Sequence, residues 1–268
     1  MSQSEIIWVT GASTGIGRAL AEQFAQQGHR VIASARSLSK LEQPAGENLS
    51  ASIHLLPCDV VDKVSLQQAA QHIQDKFGHI DKVIVNAGTC EYFSIKNPDW
   101  EMMRRVMEVN YFGAINTIEV ALPLLRQSPH NQSPHNQGHI VALASMATDV
   151  AFPRAQAYGG SKAALKYFFE SLRVDLAVEK IAVTVVQPGF VATPLTAKND
   201  FLMPFMISAE QAANTIIAKL NRKPFLIRFP RRLSWLLAIM SRLPSLWHYF
   251  AVHQLTTSAA PAQSRLGN

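Results

Sequence analysis

Tyr158 and Lys162 lie four residues apart, with Gly159, Gly160 and Ser161 between them, near the start of the best helix-forming run in the chain. On a helix this spacing puts both side chains on one face, rooted about 5–6 Å apart. A phenol titrates near ~10 and exchanges protons poorly at neutral pH unless a neighbouring cation stabilises its anion. Lys162 has the charge to be that cation. Thirteen residues before Tyr158, at the carboxyl end of the apolar run His139 to Ala144, stands Ser145. A hydroxyl, a phenol and an amine together suit proton transfer at an oxygen. The plain alternatives are a surface tyrosine, a solvated lysine and a serine that caps a turn.

Such groups need a frame, and the chain alternates short apolar runs with helix-period segments. Ile6 to Val9 reads as a strand and leads straight into Thr10-Gly11-Ala12-Ser13-Thr14-Gly15-Ile16-Gly17, after which Ala19, Leu20, Phe24 and Ala25 mark a helix. Strand, glycine turn and helix make a dinucleotide site, because glycines let backbone approach a pyrophosphate and the helix N-terminus offers it free N–H groups. The spacing is G-x-x-x-G-x-G rather than the commoner G-x-G-x-x-G. The next strand, Arg30 to Ala35, ends where an NAD-selective site places a carboxylate for the ribose hydroxyls, but here Ala35 is followed by Arg36. A guanidinium without a carboxylate favours the 2′-phosphate of NADP(H) over NAD(H).

A third strand, Ile53 to Pro57, delivers Cys58, Asp59 and Val60 at its carboxyl end, where open α/β sheets bind ligands. Asp59 suits either an adenine amino group or the cap of the helix that follows, from about 62 to 77. Lys82 to Val85 is a fourth strand, followed by the small-residue turn Asn86-Ala87-Gly88, which a flat ring can approach. A helical region from about 100 to 125 holds Asn110 among Val106, Val109 and Phe112, and an asparagine there needs a hydrogen-bond partner or disturbs the helix. The fifth strand precedes Ser145. The sixth, Ile181 to Val186, runs into a Pro188-Gly189 turn and a segment to about 208 expected to act as a mobile flap. A helix from 209 to 220 and a strand from 225 to 229 follow. Ser128-Pro129-His130-Asn131-Gln132 is repeated at once as residues 133–137, which reads as a lengthened surface loop.

In order and spacing these signals resemble the short-chain dehydrogenase/reductase superfamily across roughly residues 4 to 230. The matches are Thr10 to Gly17, Asn86-Ala87-Gly88, Asn110, Ser145 with Tyr158 and Lys162, and Pro188-Gly189 with Thr193. Val85 stands where many members have a second asparagine. The resemblance implies one Rossmann-like doubly wound α/β domain, a seven-stranded parallel sheet in the order 3-2-1-4-5-6-7 with helices on both faces. It also implies NADP(H)-dependent interconversion of a carbonyl and a hydroxyl group. Tyr158 becomes the general acid or base, and Lys162 lowers its pKa and binds the nicotinamide ribose. Ser145 binds the substrate oxygen, and Asn110 holds a water linking Lys162 to solvent. Cofactor contacts fall on Gly11, Ser13, Thr14, Gly15, Ile16, Gly17, Arg36, Asp59, Val60, Asn86, Ala87, Gly88, Pro188, Gly189, Val191 and Thr193, with Asp59 at the adenine.

Composition sets the outer limits. A 48% hydrophobic chain of 268 residues can bury a sizeable core as one domain. No run is long enough to span a bilayer, the first five residues carry no signal pattern, and the chain reads as cytosolic. Cys58 and Cys90 lack metal-ligand spacing and read as plain thiols. The net charge of +6 is lopsided: after Glu210 there are eight basic residues and no acidic one, which leaves −2 for everything before. Within this tail, residues 231–268 form a basic, apolar extension beyond the 1–230 domain. Arg231, Arg232, Trp235 and Leu236 to Met240 suit three uses: an interfacial helix on a membrane, a lid over a greasy substrate, or a contact between subunits. No nucleic-acid module is present. Residues 89–93, 147–154 and 195–206 are expected to line a pocket for a hydrophobic carbonyl compound. The rival function is a dinucleotide-binding sensor without turnover, for which Ser145, Tyr158, Lys162 and Asn110 would serve no chemical need.

Overall fold

The apolar runs become strands buried on both faces, as a parallel sheet covered by helices on either side requires. A computed structural model describes residues 4–37, 52–129, 138–199 and 201–255. Strand and helix alternate as β1 (Ile6–Thr10), α1 (Gly15–Gln26), β2 (Arg30–Ala35), β3 (Ile53–Pro57), α2 (Lys63–Phe77), β4 (Lys82–Val85), α3 (Glu101–Met107), α4 (Gly113–Arg126), β5 (His139–Leu143) and α5 (Gln156–Leu176). Then come β6 (Ala182–Pro188), β7 (Val191–Ala192), β8 (Ile207–Ser208), α6 (Ala209–Leu220), β9 (Leu226–Phe229), α7 (Arg231–Met240) and α8 (Pro244–Phe250).

The main sheet has seven parallel strands in the order β3-β2-β1-β4-β5-β6-β9. This is the expected order, with β9 as its seventh strand. Sequence reasoning missed β7 and β8, which pair with each other (Val191 with Ile207) and close the base of the segment between them. Two cores flank the sheet. Leu66 and Ile73 of α2, Ile118 and Leu125 of α4, and Leu165 and Phe169 of α5 fill one. Leu20 and Phe24 of α1 and Ile216 and Leu220 of α6 fill the other. The strand order reverses between β1 and β4, and the carboxyl ends there open the crevice in which such sheets bind ligands.

Local sequence fixes several boundaries. Asp62 caps α2 by accepting from Val64 N at 2.9 Å, and Gly78 ends it in the left-handed region. Ser208 and Gln211 form a reciprocal capping box at α6. The long helix expected from 100 to 125 is instead two α-helices, α3 and α4, joined by a π-helical turn, Glu108–Phe112. Asn110 sits in that turn. Most of the SPHNQ repeat, residues 130–137, lies outside the described residues.

Candidate active site

The turns after β1 and β4 are built into one another. Thr10 Oγ1 donates to Ile84 O at 3.2 Å and accepts from the backbone N–H groups of Asn86 and Ala87 at 3.1 and 3.3 Å. Asn86 Nδ2 donates to the carbonyls of Thr10 and Gly11, both at 3.0 Å. Gly11 has φ +66°, and a Cβ there would stand 2.7 Å from Ala87 Cα, so no larger residue fits. Thr14, the N-cap of α1, makes no side-chain bond to the first turn. Its leading N–H groups therefore remain for an anion.

These turns floor a cleft of about 870 Å³. Gly11, Ser13, Thr14, Gly15, Ile16, Arg36, Asp59, Val60, Asn86, Ala87, Gly88 and Thr193 line it, as expected from the sequence. Arg36 is exposed at its edge. Asp59 uses its carboxylate to accept from Val61 N at 3.1 Å, while Asp62 takes the helix cap. Gly17 lies behind the wall against Asn86, and Val191 is buried in the core beneath β7. Glu91 and Arg105 also line the cleft, paired at 3.0 Å, and no local pattern announced them.

Behind Gly88 lies a buried polar cluster. Asn110 is fully buried; its Oδ1 accepts from Thr89 N at 2.7 Å, and its Nδ2 donates to Thr89 O and Ser161 Oγ, each at 2.9 Å. Asparagine in an apolar helix was expected to find a partner or distort the helix, and here it does both. Stranding a buried backbone group costs about 1–3 kcal/mol, so satisfying both polar groups of Thr89 outweighs one poorly wound turn. Lys162 Nζ donates to Leu143 O at 2.8 Å. A Cβ on Gly88 would come within 3.2 Å of Asn110 Oδ1 and 3.4 Å of Lys162 Nζ.

Ser145 caps the turn Met146–Thr148 by accepting from Ala147 N at 3.1 Å, and it faces the same pocket as Tyr158 in the first turn of α5. Gln187, fully buried on β6, donates to Ser145 O at 3.3 Å and to Thr148 Oγ1, which holds the serine from below. Burial pushes the Tyr158 phenol up to about 12, with the nearby Ser145 hydroxyl pulling the other way. Burial also pulls the Lys162 amine down to about 8. The expectation that Lys162 lowers the Tyr158 pKa is therefore not met in this geometry. Desolvation outweighs any help from an amine engaged with Leu143 O, and the opposing interaction comes from Ser145 instead.

A second, apolar pocket adjoins the cleft at Leu195, which lines both. Ser145, Tyr158, Pro188 and Gly189 face it, together with Cys90, Tyr92, Phe152, Asn199 and Phe201 from the segments expected there. Phe190 lines it too, as do Leu233 and Leu237 of α7, from the tail for which a lid was one of three expected uses. Among the described lining residues Arg154 supplies the one charged group, its guanidinium 5.2 Å from the centre of the Tyr92 ring. Leu233 and Leu237 belong to a small core with Met146, Val150, Trp247 and Ala251, pinned where Trp247 Nε1 donates to Ala151 O at 2.8 Å. Burial raises the pKa of both free thiols, Cys58 to about 11 and Cys90 also upward, so both stay protonated near neutrality.

The family model described as short chain dehydrogenase matches residues 5–201. An uncharacterized oxidoreductase of Myxococcus xanthus is 34% identical over 237 residues, 88% of this chain and 89% of that protein. Among solved structures, a short chain dehydrogenase from Burkholderia cenocepacia in complex with NADP superposes with a TM-score of 0.78 at 25% identity, over 93% of this chain and 98% of that one. The Pseudomonas aeruginosa RhlG/NADP active-site complex gives 0.76 at 27% identity, over 85% and 96%. With the sheet order, the interlocked glycine turn and the serine–tyrosine pair already in hand, the match over most of its length means that the chain belongs to the short-chain dehydrogenase/reductase family of oxidoreductases.

Proposed function

We propose that the protein is an NADP(H)-dependent enzyme interconverting a carbonyl and a hydroxyl group on a hydrophobic substrate. The observation that carries the proposal is that Ser145 and Tyr158 share the wall of an apolar pocket that opens beside the glycine-turn cleft. The cleft fits a dinucleotide: its floor excludes a Cβ at Gly11, and the uncapped start of α1 suits a pyrophosphate. Asp59 would receive the adenine, Arg36 a 2′-phosphate, Asn86 to Gly88 and Lys162 the ribose, and Pro188 to Thr193 the nicotinamide side. When bound, the nicotinamide supplies the hydride for reduction and takes it for oxidation.

This chain's own task is then to manage charge on one oxygen. Ser145 donates a hydrogen bond to that oxygen as it becomes negative, and Tyr158 gives it a proton. A phenol held near 12 keeps its proton at neutral pH, which suits the reducing direction. Asn110 would hold a water linking Lys162 to solvent. Incubation with NADPH and a panel of fatty, steroidal and aromatic ketones tests the proposal. NADPH consumption with at least one class is expected, whereas tight binding with no turnover on any would favour a sensor.

Two further outcomes test individual residues. Arg36→Ala is expected to weaken NADPH binding about 10- to 100-fold, the worth of charge-assisted hydrogen bonds, and to leave NADH unchanged. Fluorescence titration reads both, and equal losses for the two nucleotides would remove Arg36 from the 2′-phosphate. Lys162, lowered to about 8 by burial, is charged below that pH and loses its charge as pH rises through it. Because kcat/KM reports groups of the free enzyme, it is expected to fall above about pH 8. In Lys162→Arg, which stays charged, that limb should vanish even if the rate is lower overall; an unchanged limb would assign it to another group.

A further inference from the structure

Helices α7 and α8 each bury one face and expose another. Leu233 and Leu237 of α7, and Trp247 just inside α8, enter the same small core. On the outer side, Arg232, Trp235, Leu236 and Ile239 follow one another at i, i+3, i+4 and i+7, one stripe along α7, and Leu243 is exposed in the turn that follows. Trp235 is 68% exposed, Ile239 51% and Leu243 47%. After the break at Pro244, Leu246, Tyr249 and Phe250 repeat the pattern, and all three are exposed. Leu202, Phe205 and Met206, just beyond the pocket residue Phe201, are exposed as well. Scattered exposed apolar residues are ordinary, but a stripe on two successive helices is not.

Charge selects the occupant. The stripe is flanked by Arg231, Arg232 and Arg242, and the sequence has no acidic residue after Glu210. A second copy meeting this face through a two-fold axis would set arginine against arginine with no carboxylate from the tail itself to pair them. A nucleic acid would leave tryptophan, leucine and isoleucine without a use at the centre of the patch. An anionic lipid surface satisfies both halves: phosphate headgroups take the arginines, and the acyl boundary takes Trp235, Leu236 and Ile239. No helix among the described residues is long and apolar enough to cross a membrane, so the contact is with one surface.

We infer that the outer faces of α7 and α8 dock the protein on anionic lipid bilayers. The opposite face of α7 lines the apolar pocket, so docking would bring the pocket up to the bilayer; only this corollary rests on the proposed enzymatic function.

Flotation of the full chain tests the docking without any need for turnover. With vesicles of phosphatidylcholine and phosphatidylglycerol at low salt the protein is expected to float, and with phosphatidylcholine alone or at high salt to float much less. Arg231→Gln with Arg232→Gln should weaken binding about 30-fold, at roughly tenfold per 1.4 kcal/mol and about one such charge per kcal/mol. Trp235→Glu with Ile239→Glu should abolish flotation while far-UV circular dichroism and dinucleotide binding stay as in the parent. Sedimentation of parent and variants in the absence of lipid completes the set. Failure of the parent to float on anionic vesicles, or undiminished flotation of the glutamate variant, overturns the inference. So does a parent dimer that the glutamate substitutions dissociate without any lipid binding, which would give the face to a second copy.

Discussion

Tyr158→Phe is expected to lower turnover by at least about 100-fold, the lower end for loss of an acid–base group, with NADPH binding and thermal unfolding close to those of the parent. The substitution removes one hydroxyl from the pocket wall beside Ser145 and leaves the ring in place. Ser145 still offers a hydrogen bond to the substrate oxygen, which is why a residual rate should persist. Steady-state NADPH consumption with the best ketone measures the loss. Near-parental kcat from folded protein would pass the proton to another pocket group. The available ones are poor: Tyr92 and Cys90 also line the pocket, and burial raises the pKa of each.

Gly17→Ala should be strongly damaging for so small a substitution. A Cβ there would lie 2.3 Å from Asn86 Nδ2 and 2.5 Å from Gly11 O, and the second is backbone that cannot swing away. Overpacking of this kind costs about 1–3 kcal/mol, on the order of 2–6 °C in Tm for a chain of this size. Relief would push Asn86 off its bonds to Thr10 and Gly11, so dinucleotide binding is expected to fall as well. The same change at Gly160, inside α5, meets nothing within 4 Å and should instead stabilise by roughly 0.5–1 kcal/mol, because alanine is the better helix former. Paired melting curves decide the matter. Equal shifts for the two variants would mean that the interlocked turns are softer than their contacts indicate.

What the sequence revealed and what it concealed follow from the range of the interactions. Apolar runs such as Ile6 to Val9 and His139 to Ala144 announce buried strands by themselves, and the strand order follows from family likeness, so the sheet was legible. Tyr158 and Lys162 were legible because helical spacing is local. Periodicity also led us to read 100–125 as a single helix, because α3 and α4 each keep an ordinary 3.6 period. The π turn arises only because Asn110 reaches Thr89, twenty-one residues away on another element. Leu233 and Leu237 looked like generic amphipathic leucines, since their pocket is formed by segments from four other parts of the chain. Gln187 gave no local sign that it would lie beneath Ser145. The Tyr158 pKa was misjudged for a similar reason: desolvation depends on everything packed around a group, and a motif records only its neighbours in sequence.

The π turn at Glu108–Phe112 has a genetic consequence. One wide turn amounts to one residue more than an unbroken α-helix would hold. A single-codon deletion in that stretch would yield an unbroken α-helix, and because the wide turn holds its extra residue as a bulge, α3 and α4 would keep their facing. Ile118 and Leu125 of α4 would stay in the core, but the turn from which Asn110 reaches Thr89 and Ser161 would be gone. Length in this segment is therefore as constrained as residue identity, and an alignment that places a gap there would be describing a protein with a different site.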